Sequence, residues 1–150
     1  VLFTQSRMCF NHGWFVQAEG TPGAMLSKLK HVLQWASGND LAFYFFHWLT
    51  DLSGAEGRPL AGAEKLTRRF PRIVLVSFLW SMPYLQHLAD KLETEVVESY
   101  LEARFRQAFA EEPLPEGDGA VAKLRLGVMA QRCARLAVDA FGQAPEPVRR

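Results

Sequence analysis

The chain has 150 residues, of which 49% are hydrophobic and 22% are charged. This length is enough to bury a core and favours one domain, and the composition argues against an intrinsically disordered chain. The 17 basic and 16 acidic side chains leave a net charge of +1. No global electric field therefore exists to attract nucleic acid or an anionic membrane, and any such binding needs a local patch.

The apolar runs and the cysteines indicate which cellular compartment to expect for this chain. The longest apolar runs, Leu41–Trp48 and Ile73–Trp80, fall well short of the roughly 20 residues that cross a bilayer, and no signal peptide is visible. The two cysteines, Cys9 and Cys133, are too few for a disulfide scaffold and lack zinc-site spacing. We expect buried free thiols in the cytoplasm or another reducing compartment, with a single disulfide as the alternative.

The first segment, Val1–Glu19, permits two interpretations. Its aromatic residues recur at roughly helical spacing, which favours a helix interrupted at Gly13. The alternative is a hairpin of two short strands, Leu2–Phe10 and Trp14–Ala18, joined by a turn at Asn11-His12-Gly13.

The next boundaries are clearer. Thr21 followed by Pro22 is typical of an N-cap and first helical position, and an apolar stripe at three- and four-residue spacing follows. Asn39 or Asp40 then caps a second helix over Leu41–Leu52. That segment is apolar on nearly every side, which predicts a central helix covered by neighbours on several faces.

Prolines and glycines mark the boundaries of the elements predicted in the middle of the chain. Ser53–Leu60 is predicted to be a loop and Ala61–Arg69 a short helix. Pro71 fits the first turn of the next helix, and Pro83 either kinks that helix or starts a new one. Tyr84–Ala110 is a long amphipathic stretch with acidic residues opposite its apolar side.

The C-terminal third completes the predicted fold. Glu111–Gly119 has the composition of a linker, a last helix runs over Ala120–Phe141, and residues 143–150 form a flexible tail. Together, these elements predict an all-α fold. We predict an orthogonal bundle of six or seven helices, with a solenoid-like stack as the alternative, forming a single domain over residues 1–142.

Two histidine–aspartate pairs are the candidate metal ligands. His47 and Asp51 lie four residues apart on one predicted helix, and His87 and Asp90 lie three apart on another. Inward-facing histidines and carboxylates from two helices often bind a divalent metal, and a bound metal can activate water for hydrolysis. The alternative is a purely structural role, in which His47 is hydrogen-bonded within an aromatic core and Asp51 lies at a helix end.

A basic cluster is the candidate anion site. Lys65, Arg68, Arg69 and Arg72 lie within eight residues, with Phe70 among them. Such a cluster can contact phosphates or an acidic partner, although a solvated helix surface has the same pattern.

The motifs of common enzymes are missing from the sequence. It contains no nucleophile elbow and no phosphate-binding loop, so we assign no catalytic residue. Four tryptophans and eleven phenylalanines supply core volume, and aromatic residues are also enriched at interface centres. The chain begins at Val1 rather than Met, which suggests a processed product or a piece of a longer protein.

We therefore predict a helical interaction or scaffold module that binds another protein or packs within a larger chain or assembly. A metal-dependent hydrolase built on the His/Asp pairs is the first alternative. Anion or nucleic-acid binding through the basic cluster is the second, and the balanced net charge disfavours nucleic acid.

Overall fold

The computed structural model describes residues 12–19, 23–54, 58, 61–64, 68 and 72–145, with the backbone alone at 51–54, 63 and 73. These residues form α-helices and two 3-10 turns, and no strand occurs among them, which confirms the all-α class. The α-helices are α1 His12–Val16, α2 Gly23–Leu33, α3 Gly38–Gly54, α4 Ala61–Glu64, α5 Arg72–Gln86, α6 Glu93–Ala108, α7 Ala120–Met129 and α8 Ala134–Gln143.

The chain divides into two compact units. Unit 1 comprises Val1–Phe10 and Ala24–Ala89, and unit 2 comprises Asn11–Gly23 and Asp90–Arg150. Each unit therefore consists of two segments, and the segments of the two units alternate along the sequence. A single domain over residues 1–142 stays a prediction, because the compactness of two parts does not decide whether they unfold together.

A capping box fixes the start of α3. The Asp40 carboxylate accepts hydrogen bonds from the Ser37 backbone N–H at 2.8 Å and from its hydroxyl at 2.7 Å. The Ser37 hydroxyl in turn accepts one from the Asp40 N–H at 3.3 Å. The prediction of Asn39 or Asp40 as the N-cap is wrong by two or three residues, because the serine closes the reciprocal pair that defines this motif.

Aromatic stacking joins α3 to α5 within unit 1. The Trp48 and Phe78 rings stack with centroids 3.7 Å apart, and Phe45 lies 6.3 Å from Phe78. Phe78 is buried, yet no described side chain of α3 is buried. The prediction of α3 as a central helix covered on several faces is therefore wrong: one side packs on α5 and another side meets solvent.

The described part of the N-terminal segment is helical from His12 to Val16. Gly13 lies within this helix, so the break predicted at that residue and the strand Trp14–Ala18 do not occur. The other strand of the hairpin alternative, Leu2–Phe10, lies outside the described residues, as does the cap predicted at Thr21-Pro22.

Two side chains far along the sequence hold the end of α1 within unit 2. The Tyr100 hydroxyl donates to the Val16 carbonyl at 2.7 Å, and Arg125 Nε donates to the Ala18 carbonyl at 3.1 Å. The rings of Phe15 and Tyr100 lie 4.5 Å apart. These contacts close the short helix onto α6 and α7, which also pack on each other.

The predicted stretch Tyr84–Ala110 is not one helix. α5 continues through Pro83 to Gln86, so the proline does not start a new helix. A 3-10 turn, His87–Ala89, and a short irregular segment then precede α6. Glu95 caps α6 by accepting a hydrogen bond from the Leu92 N–H at 3.0 Å, as a glutamate in the first turn favours.

The predicted last helix over Ala120–Phe141 is also divided. A 3-10 turn, Gln131–Cys133, separates α7 from α8, and Gln131 has a φ of 47°, which a regular right-handed helix does not tolerate. Because of this break, the buried face of α8 does not continue the helical periodicity of α7. Leu136, predicted to lie on the apolar side, is consequently 71% exposed, while Ala134 and Val138 are buried.

A close contact brings α6 and α7 together. The stacked rings of Phe105 and Phe109 lie 4.5 Å apart, and a Cβ added at Gly127 would lie 3.3 Å from each ring. Glycine is therefore the residue that allows this approach without displacing the rings. Arg135 covers the outer ring, 4.8 Å from the Phe109 centroid, and pairs with Glu112.

Candidate interaction surface

An exposed apolar stripe runs along α3. Phe43 and Phe46 lie three residues apart, and Phe46 is 61% exposed. Asn39, Ala42 and Thr50 are exposed at matching helical positions, and the exposed Asp40, three residues before Phe43, adds one negative charge at the start of the helix. We call this exposed line the α3 stripe. It lies on a different side of the helix from Phe45 and Trp48, which face Phe78.

A second exposed stripe runs along α5. Arg72, Val76, Leu79, Pro83 and Gln86 are all exposed and follow one another at three- and four-residue spacing, which places them on one helical face. We call this face the α5 stripe. Leu79 is 53% exposed, whereas Ser77, Phe78, Ser81 and Leu85 form the buried side of the same helix.

Both units have exposed large apolar side chains, and in unit 1 they follow one another along α3 and α5. Isolated exposed apolar side chains are ordinary, but several at adjacent helical positions are typical of a surface that another molecule covers. The two helices are held together by the stack of Trp48 on Phe78. Such packing gives a partner rigid helical faces, with little ordering needed on binding.

Charge in unit 1 is predominantly positive. Its sequence carries eight basic and four acidic side chains, against nine basic and twelve acidic in unit 2. The exposed basic side chains described in unit 1 are Lys28, Arg58, Arg68 and Arg72, and the exposed acidic one is Asp40. Hydrogen bonds from Ser37 lower the pKa of Asp40, so this carboxylate is already engaged in the cap.

The predicted metal ligands occupy dissimilar positions. His47 is half-buried on α3, and the side chain of its predicted partner Asp51 lies outside the described residues. His87 and Asp90 are exposed in a 3-10 turn and the turn after it, so the expectation that an α-helix holds both is wrong. No cluster of three or more metal-ligating side chains occurs in the described part of the chain. Metal binding stays a prediction.

The predicted basic cluster is described at two of its four positions. Arg68 and Arg72 are exposed, and Lys65 and Arg69 lie outside the described residues. Arg72 is also the first residue of α5, so it belongs to the α5 stripe. Sequence reasoning identified this arginine but not the apolar line that follows it on the same face, although the spacing of Val76, Leu79 and Pro83 could have revealed it.

Two further predictions concern single residues. Cys133 is a free thiol but is exposed, so its predicted burial is wrong, while Cys9 lies outside the described residues. His12, predicted to lie in a turn, is fully buried in α1. Burial lowers its pKa to about 3, because the charged imidazolium loses its hydration. A neutral, inaccessible imidazole belongs to the packing of unit 2 rather than to a reactive site.

Comparison with protein-family models, with curated proteins and with solved structures finds no match to this chain. Among the helices described, none has both the length and the apolar character that a membrane span requires. The geometry and chemistry of the described surfaces therefore carry the functional argument.

Proposed function

We propose that this chain is a helical interaction module that binds another protein, or another part of a larger chain or assembly, through the exposed stripes of unit 1. One observation carries the proposal. The helices α3 and α5 are packed together by Trp48 and Phe78, yet each also has large apolar side chains in solvent.

Chemical composition supports contact with protein. The stripes present Phe43, Phe46, Val76 and Leu79, and phenylalanine is enriched at the centres of protein interfaces, where charged residues are depleted. An apolar helix face is also the kind of surface on which a second helix packs, because ridges of side chains fit into grooves.

Site-specific photocrosslinking tests the proposal. The photoreactive p-benzoylphenylalanine replaces Phe46 or Leu79 in the full chain, which is then irradiated in an extract of the native source. The matched control places the same group at Leu136, an exposed leucine of unit 2. We expect discrete crosslinked proteins from Phe46 or Leu79, competed by excess unlabelled chain, and none of them from Leu136.

Two results contradict the proposal. The first is the lack of any discrete crosslink from both stripes. The second is an identical set of crosslinks from Leu136, which would mean that these exposed side chains capture proteins without selection.

A further inference from the structure

We propose that the α5 stripe is the docking site for an amphipathic helix of another protein, and that this helix carries carboxylates at the end that faces Arg72. The inference rests on the proposed function and adds the chemical class of the partner. Three observations support it: the length of the stripe, the position of its positive charge, and the poor match of this charge to a second copy of the chain or to a membrane.

The apolar part of the stripe fits a helix. Val76, Leu79 and Pro83 continue the line that Arg72 begins and Gln86 ends. At a rise of 1.5 Å per residue the whole line is about 20 Å long, and its apolar part, from Val76 to Pro83, is about 10 Å long. That apolar part matches about two turns of a partner helix with apolar side chains at i, i+3, i+4 and i+7.

Positive charge is concentrated at one end of the stripe. Arg72 is the only charged residue in the sequence of α5 and stands at its first position. The N-terminus of a helix carries partial positive charge as well. Both sources lie in the first turn of α5, so a partner with carboxylates at that end is electrostatically matched.

The α5 stripe of a second copy lacks the matching charge. If two α5 stripes packed in parallel, Arg72 would lie against Arg72. If they packed antiparallel, Arg72 would lie against the end that carries Gln86, and the first acidic residue after it, Asp90, lies beyond α5. Like charges placed together are unfavourable and unpaired ones gain nothing, so an acidic partner is preferred.

A lipid surface also matches the stripe poorly. Helices that lie on anionic membranes carry Lys and Arg along their polar face, and Trp and Tyr are typical of residues at the membrane interface. The exposed line on α5 is Val, Leu and Pro with its single cation at one end. Trp80 and Tyr84 of the same helix lie outside this line, and their rings are 5.1 Å apart.

Dye-labelled designed helices test the inference by fluorescence anisotropy with the full chain. All peptides share one leucine stripe and differ only at one end, which carries glutamates, glutamines or lysines. The protein variants are Leu79→Ser and Arg72→Glu. Leu136→Ser, which removes an exposed leucine of unit 2, is the matched control.

We expect the glutamate helix to bind about fivefold more tightly than the glutamine helix, as one or two exposed charge pairs allow. Leu79→Ser should weaken every peptide by about tenfold, because buried leucine area is lost, and Leu136→Ser should change none. Arg72→Glu should transfer the preference to the lysine helix. This exchange tests charge recognition, since a merely misfolded variant would not gain affinity for the opposite peptide.

Each remaining result has a definite meaning. If Leu79→Ser weakens all peptides but the end charge has no effect, the proposed function stands and the acidic partner is wrong. If no peptide binds, the inference is overturned. Vesicles of phosphatidylcholine and phosphatidylserine, bound in a way that Leu79→Ser abolishes, would assign the stripe to a membrane. A dimer that Leu79→Ser dissociates would assign it to a second copy.

Discussion

Units 1 and 2 place their aromatic side chains in opposite ways. Of the six described aromatic residues in unit 2, four are buried, namely Phe15, Tyr100, Phe105 and Phe109. Of the nine described in unit 1, only Phe78 is buried. Unit 1 thus has more described aromatic residues than unit 2 but buries fewer of them. Aromatic content alone therefore does not identify a core.

The largest expected effect comes from a matched pair of Phe→Ala substitutions. Phe105 is 1% exposed and stacks on Phe109, so Phe105→Ala should lower the free energy of unfolding by about 3–5 kcal/mol through lost burial and a cavity. Phe46→Ala, at the exposed α3 stripe, should change it by less than about 0.5 kcal/mol.

Urea unfolding followed by far-ultraviolet circular dichroism measures both variants. The comparison between the units fails if the two substitutions have similar costs, because that result would mean that Phe46 is covered in solution.

Mild acid should act on unit 2 through His12. In the unfolded chain its imidazole takes a proton near pH 6.5, whereas in the folded state burial lowers the pKa to about 3. The unfolded state therefore binds the additional proton between these values, and stability falls as the pH drops below 6.5. The expected loss is about 1.4 kcal/mol per pH unit, or about 2 kcal/mol by about pH 5.

Unfolding free energies measured from about pH 7 to about pH 5 test this dependence. Asp40, whose ordinary pKa is 3.8 and is lowered by Ser37, contributes stability that is lost only at lower pH, so it does not obscure this range. His12→Gln should flatten the profile and His31→Gln, at an exposed histidine, should not. An unchanged slope in His12→Gln would place the titration elsewhere.

The smallest expected effect concerns one hydroxyl group. Tyr100→Phe removes the 2.7 Å hydrogen bond to the Val16 carbonyl and should lower the unfolding free energy by about 1–2 kcal/mol, because a buried carbonyl loses its donor. Amide hydrogen exchange would localise the effect, which should include α1.

The sequence was sufficient for the helical class and for part of the core. On the apolar side predicted for Tyr84–Ala110, Leu92 is 60% exposed just before α6, whereas Val96, Tyr100, Leu101 and Phe105 within α6 are buried as predicted. This worked because an amphipathic pattern specifies both the helix and the side that it buries.

Other features could not be predicted for identifiable physical reasons. α3 is apolar nearly all round, so its pattern gives no preferred face, and which side is covered depends on where Phe78 lies. The break at Gln131 rests on a left-handed backbone at a residue other than glycine, which sequence rarely reveals. The spacing of Val76, Leu79 and Pro83 places them on one face of α5, but only the packing of Phe78 against α3 shows that this face is the exposed one.

The contacts that hold α1 have a consequence for the order of folding. Val16 and Tyr100 are 84 positions apart, and Ala18 and Arg125 are 107 apart, with all of Ala24–Ala89 assigned to the other unit. Contacts this distant close slowly because the loop must first be ordered. During synthesis from the N-terminus, α1 leaves the ribosome long before α6 and α7. Its apolar residues, Phe15 and Val16, therefore have no cover from α6 and α7 until those helices have been synthesised.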